Sequence, residues 1–247
     1  MSIDVPNKEK VLQLISEIEA IDLRTATVDQ IQDLIRVLIT GFPTSAIKIF
    51  PGQYIHRTRV CEKPVNICQV TYPPPNAAPM GRANEQGKPR FYGSIGRGVP
   101  FFELNPQVGD KIALTTWKNT EDMLLNRVAF TKENSVSLES KRELENIYTS
   151  SDFLEKLSES QLLVNSFLAK WLVKKISQDE TNYYKVTAAM SNILMAGEVF
   201  AGLVYPTVKM FGNADNLVLA PTFVDKSLQL VSIEYHCCPD KSGFKNL

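Results

Sequence analysis

Apolar residues recur every three to four positions through the first forty residues of the chain. Val11, Leu14, Ile15 and Ile18 make one stripe, and Val28, Ile31, Ile35 and Leu38 make a second. The spacing predicts two amphipathic helices. Thr27-Val-Asp-Gln30 has the form of a capping box at the start of the second, and Gly41 ahead of Pro43 is a stop signal. Such a pair is expected to pack as a hairpin on the main domain; its amphipathic faces also suit a partner or a dimer surface. From residue 53 the pattern changes to alternation. Gln53–Val60 and Asp110–Trp117 predict strands, with Lys88–Tyr92 a short one between them. The span from about Asp122 to Ile176 reads as mostly helical, with Phe153, Leu157, Val164, Leu168 and Trp171 as a narrow core stripe. Thr181–Met195 reads as a further helix. Gly202–Pro206, Asn216–Leu219 and Ser227–His236 close the pattern as strands. In the last of these the apolar phase slips from Leu228 and Leu230 to Val231, Ile233 and Tyr235, which predicts a bulge.

The 247 residues allow one large domain or two small ones, with enough apolar content (44%) for a sizeable core. Lys plus Arg and Asp plus Glu both number 27. A net charge of zero argues against a surface built mainly to grip nucleic acid or anionic lipid. No apolar run approaches the roughly 18 residues of a membrane span, and Met1–Lys10 lacks a signal-peptide core, so a cytoplasmic location is expected. Cys61, Cys68, Cys237 and Cys238 follow no zinc-ligand spacing. They read as reduced, buried thiols, and no metal is assigned.

The candidate chemistry gathers between Gly81 and Leu104, GRANEQGKPRFYGSIGRGVPFFEL. Glu103 stands among Phe101, Phe102 and Leu104, and a carboxylate taken out of water is costly unless it is paired, hydrogen-bonded or used. Pro100 suits the start of a short helix and Asn105-Pro106 its end, so Glu103 is expected on about one helical turn. Gly93, Gly96 and Gly98 make a flexible turn whose backbone NH groups could approach a phosphate, although it fits neither a P-loop nor a Rossmann pattern. Arg57 and Arg59, two apart on a strand, share one face. That face is as consistent with a solvated edge as with a pyrophosphate site.

Arg57, then Gly81-Arg82-Ala-Asn84, Gly87, Phe91-Tyr92 and Phe102-Glu103-Leu104, then Gly202–Thr207 and Asp215–Leu219, together resemble the RES domain over residues 50 to 236. That family is named for its arginine, glutamate and serine. The resemblance implies an α+β fold similar to the ADP-ribosyltransferases: a split β core with surrounding helices, over residues 49–247. Residues 1–48 form a helical extension packed upon it. It implies an enzyme that consumes NAD as substrate, by phosphorolysis or hydrolysis of the nicotinamide–ribose bond, with inorganic phosphate as co-substrate in the first case and no bound cofactor. It also implies a toxin whose partner is an Xre-like helix-turn-helix antitoxin. Any DNA contact then belongs to that partner, since this chain shows no helix-turn-helix of its own. A homo-oligomer through the amino-terminal helices stays open.

Carried over position by position, the resemblance makes Glu103, Arg57 and Arg82 the catalytic set, with Tyr92, Thr207 and Asn216 as substrate-binding residues. Glu103 would stabilise the positive charge developing on the ribose, the two arginines the pyrophosphate, and Tyr92 the nicotinamide ring. Thr207 stands where the family has serine, and its methyl group puts full activity in doubt. Transfer of ADP-ribose to a macromolecule would use the same residues. A module that binds NAD with weakened turnover is the non-enzymatic alternative.

Overall fold

The structure, a computed structural model, describes residues 5–137, 139–141, 151–197 and 199–238. The two amino-terminal stripes form α1 (Lys8–Glu19) and α2 (Val28–Leu38). Asn7 caps α1 by accepting from the Lys10 amide at 2.9 Å. Thr27 and Gln30 close the expected box from both sides: Thr27 Oγ1 accepts from the Gln30 amide at 3.2 Å, and Gln30 Oε1 from the Thr27 amide at 2.9 Å. Gly41 then takes φ +72°, a conformation that suits glycine, and the helix ends.

The chain continues through β1 (Ser45–Ile49), β2 (Tyr54–Val60), β3 (Phe91–Gly93), α3 (Val99–Leu104) and β4 (Lys111–Asn119). It passes β5 (Met123–Arg127), α4 (Lys132–Ser137), α5 (Ser151–Glu155), α6 (Glu159–Leu172) and α7 (Tyr184–Leu194). It reaches β6 (Gly202–Pro206), β7 (Asp215–Leu219), α8 (Pro221–Ser227) and β8 (Leu228–Cys237). The fold is α+β. Its strands form one five-stranded sheet, in the order β1-β5-β6-β7-β3, and one three-stranded sheet, β2-β4-β8. All pairings are antiparallel except β5 with β6.

The span from Asp122 to Ile176 departs from its helical reading. It opens with β5, which pairs with β1 on one side and β6 on the other. Met-Leu-Leu favours a helix locally, and pairing on both edges overrides that preference. Ser158 breaks the expected stripe: its hydroxyl accepts from the Gln161 amide and starts α6 afresh. Residues 142–150 of this span, and residues 1–4, lie outside the described residues. β1 and α8 carry no clear periodicity and were not expected, and β3 begins only at Phe91. The bulge in β8 is present. Thr116 faces Ser232 while Trp117 faces Leu230, which leaves Val231 as the extra residue.

Alternation along β6 and β7 divides the core into two. Leu203, Tyr205 and Val218 point to one face of the large sheet, where α1, α2, α6 and α7 bury Leu14, Ile31, Leu168 and Val186 against them. Val204, Leu217 and Leu219 point to the other face and meet Ile55, Ala113 and Trp117 of the small sheet. Phe91 and Trp117 pack edge to face there at 5.6 Å. The amino-terminal helices thus share the main core.

The two sheets join at a seam. His56 on β2 and Ser94, just past β3, exchange backbone hydrogen bonds of 2.7 and 2.9 Å. Gly93 stands at this crossing, where a Cβ would lie 2.9 Å from the His56 carbonyl oxygen, so only glycine lets the two backbones approach. Apart from this bridge β2 pairs with β4 and β3 with β7, so the strands belong to two separate sheets. α3 packs against β2, where Thr58 Oγ1 donates to the Pro100 carbonyl oxygen at 2.8 Å.

Candidate active site in the split between the sheets

Arg57 from β2, Tyr92 from β3, Glu103 from α3 and Asn216 from β7 line a cavity of ≈ 120 Å³ at the seam, with Tyr205 of β6 and Pro100 among the other residues of its walls. These residues come from five elements spread over most of the chain. Of the apolar neighbours of Glu103, Leu104 also lines the cavity, whereas the two phenylalanines do not. Phe102 is exposed, and Phe101 packs edge to face on His236 of β8 at 5.3 Å. Asn105 ends the helix in the left-handed region, at φ 49°. The remaining direction turns Glu103 inward, where Oε1 accepts from Asn216 Nδ2 at 3.0 Å. Phe101 therefore anchors α3 to β8, and the carboxylate faces the Asn216 amide.

Arg57 works across the split. Its Nη1 donates to the Tyr92 carbonyl oxygen at 2.6 Å, and the guanidinium lies over the Phe91 ring, 5.3 Å from its centroid. Its Nε is buried and has no hydrogen-bond partner among the described residues. Burial chiefly, and the neighbouring Arg59 charge, bring its pKa down to about 10, so it remains cationic at neutral pH. This is a buried positive charge with unused donor capacity on a cavity that a carboxylate also lines, in a form suited to an anionic or hydroxylated ligand.

Tyr92 is fixed at both ends. Its backbone pairs with Val218, while its hydroxyl donates to Asn84 Oδ1 at 2.7 Å and accepts from the Ala83 amide at 2.9 Å. Burial pushes its phenol up to about 12, which keeps it neutral. The Gly81-Arg-Ala-Asn84 motif is the tight turn that supplies this anchor. The Gly81 amide bonds the Asn84 carbonyl at 3.0 Å, and Asn84 Nδ2 donates to the carbonyl oxygens of Pro79 and Glu85. Every polar atom of the buried Asn84 side chain is therefore satisfied.

Two of the six expected site residues lie elsewhere. Arg82 does not line the cavity. Its Nη1 donates to the Leu172 carbonyl at 2.8 Å and its Nη2 to that of Lys174 at 3.0 Å, and its guanidinium lies over the Tyr184 ring. It satisfies the carbonyls that the end of α6 leaves open, a favourable place for a cation. Arg82→Ala is therefore expected to lower stability by about 2 kcal/mol while leaving any turnover per folded molecule unchanged. Denaturant titration and kinetics on the same sample test this. Unchanged stability with weakened ligand binding would return Arg82 to the ligand.

Thr207 also turns away. It is fully buried just after β6, its Oγ1 accepting from the Met210 amide at 2.9 Å and its backbone closing the turn onto Ala214 and Gly212. The methyl group that sets it apart from serine does not line the cavity. Asn216 is present on the wall, and its partner is Glu103. Tyr205, by contrast, lines the cavity without having been expected to. The signal lay in the strand period: Tyr205 is directly opposite Asn216 in the β6–β7 ladder.

Cys61, Cys68, Cys237 and Cys238 are free thiols, and of these only Cys238 is buried. The reading of all four as buried is corrected accordingly, since Cys68 and Cys237 are exposed. Among the described residues no group of three or more His, Cys, Asp or Glu side chains is placed to hold a metal ion. No helix among them is long and apolar enough to cross a membrane.

No family model matches this chain, and no curated protein does. A similar solved structure is a chain of the M. tuberculosis MbcT–MbcA toxin–antitoxin complex. The two are 10% identical, with a TM-score of 0.40 over 93% of each chain.

Proposed function

We propose that this chain is an NAD-degrading enzyme that cleaves the nicotinamide–ribose bond, with phosphate or water as the acceptor. The observation that carries the reading is the convergence of Arg57, Tyr92, Glu103 and Asn216 on one cavity at the seam. The bond in question needs no general acid, because nicotinamide leaves as a neutral molecule. The barrier lies in the positive charge that develops on the ribose, as in glycoside cleavage. A preorganised carboxylate shielded from water lowers it. Asn216 holds one oxygen of Glu103 and so fixes the orientation of the other. Arg57 supplies donors for the diphosphate side, and the immobile Tyr92 ring supplies a flat apolar surface for the departing base.

The size of the cavity bears on how the substrate would lie. At ≈ 120 Å³ it is well below the roughly 300 Å³ at which pockets begin to enclose a whole drug-sized ligand. It suits the reacting end of NAD, with the adenosine half lying outside. A role as a toxin held in check by a helix-turn-helix antitoxin rests on the sequence resemblance, since a fold does not dictate biological use.

Incubating the purified chain with NAD, with and without inorganic phosphate, and identifying the products tests the reading. Free nicotinamide is expected, and phosphate-dependent loss of NAD would select phosphorolysis. Undiminished NAD under both conditions would sink the proposal, and ADP-ribose appearing on a macromolecule would redirect it to transfer.

A further inference from the structure

We infer that Tyr205 is a further substrate-contacting residue of the proposed reaction, its hydroxyl hydrogen-bonding a hydroxyl of the ribose whose bond to nicotinamide is cleaved. The inference rests on the NAD-cleaving reading above and adds a contact to it.

Tyr205 is 3% exposed, and its ring packs in the core cluster formed by Leu203, Val218 and the helices. Tyr205 lines the cavity, and no hydrogen bond joins its hydroxyl to a described residue. Its oxygen is not one of the buried polar atoms left without a partner, so it keeps accessible surface through which a ligand group can meet it. Its neighbours on the same face are already engaged. Tyr92 gives its hydroxyl to Asn84, and Asn216 gives its amide to Glu103. Tyr205 is therefore the wall residue with a neutral hydroxyl still to place, and the cavity is where that hydroxyl can be met.

The class of ligand group follows from the surroundings. Burial chiefly holds the Tyr205 phenol well above its ordinary range, so it acts as a neutral donor and acceptor and brings no second negative charge beside Glu103. Its ladder partner Asn216 is the residue that holds Glu103, which puts Tyr205 beside the carboxylate and not at the outer rim. In the proposed reaction the carboxylate faces the ribose carbon that loses nicotinamide. The polar groups flanking that carbon on the sugar are hydroxyls, each able to donate to and accept from a phenol.

Tyr205→Phe keeps the ring and its packing and removes only the hydroxyl. In the full-length chain it is expected to raise KM for NAD about tenfold, as the loss of one neutral hydrogen bond does. The thermal midpoint and kcat should change little. A purely structural hydroxyl would move the midpoint and leave KM alone. Pairing the variant with NAD that lacks the 2′- or 3′-hydroxyl of the nicotinamide ribose locates the contact. One of these analogues should abolish the difference between wild type and variant. If the tenfold difference survives with both analogues, or KM is unchanged beside an active wild type, the inference is overturned while the reaction stands. A wild-type chain that consumes no NAD overturns both.

Discussion

Glu103→Gln is expected to reduce the proposed NAD cleavage about a thousandfold, the effect of removing one preorganised charge from a developing ionic transition state. The fold should be left as it is. Glutamine retains an oxygen to accept from Asn216 Nδ2, the contact that holds the side chain at 3.0 Å. Phe101, Pro100 and Asn105, which position α3, are untouched. The change removes the negative charge and little else, so the loss should appear in kcat with a smaller effect on KM. Stopped assays of nicotinamide release, with a melting curve on the same preparation, give both quantities. A variant that keeps more than a tenth of wild-type turnover would show that the carboxylate is not the stabilising group.

The largest effect on stability is expected from Gly202→Ala. Gly202 pairs with Leu219 across the β6–β7 ladder and with Leu125 across the β5–β6 ladder, so it is central in the large sheet. A methyl group there would overlap the Val218 carbonyl oxygen, which is backbone and has no rotamer to yield. The strands would have to part, at a cost of about 3 kcal/mol. β6 and β7 carry Tyr205 and Asn216, so ligand binding should fail together with stability. A denaturation midpoint equal to wild type would contradict this packing. Gly93→Ala is a milder test of the same kind at the seam.

The parts of this fold that were legible in the sequence are those decided within a few residues. The capping box at Thr27, the stop at Gly41, the short helix around Glu103 and the bulge at Val231 each depend on neighbours along the chain. The parts that were not legible are decided at long range. Met123-Leu-Leu is a strand because β1 and β6 flank it, and nothing within the segment says so. Arg82 illustrates the same limit within a motif. Its place after Gly81 was plain, but the carbonyl oxygens it serves lie 90 and 92 residues away, at the end of α6. Thr207 and Tyr205 are two residues apart on β6 and the turn just beyond it. Which of them lines the cavity depends on where the strand ends, and strand ends are read poorly from pattern alone.

The doubly anchored Tyr92 has an entropic consequence. With its backbone in the ladder to Val218 and its hydroxyl locked into the Gly81–Asn84 turn, the ring has no rotamer freedom left to lose when something lies against it. Ordering a mobile side chain on binding costs about 0.5–1.5 kcal/mol. Here that ordering is complete once the chain has folded. The GRAN turn lies outside the cavity lining, and at the proposed site it would contribute to affinity by removing a motion in advance.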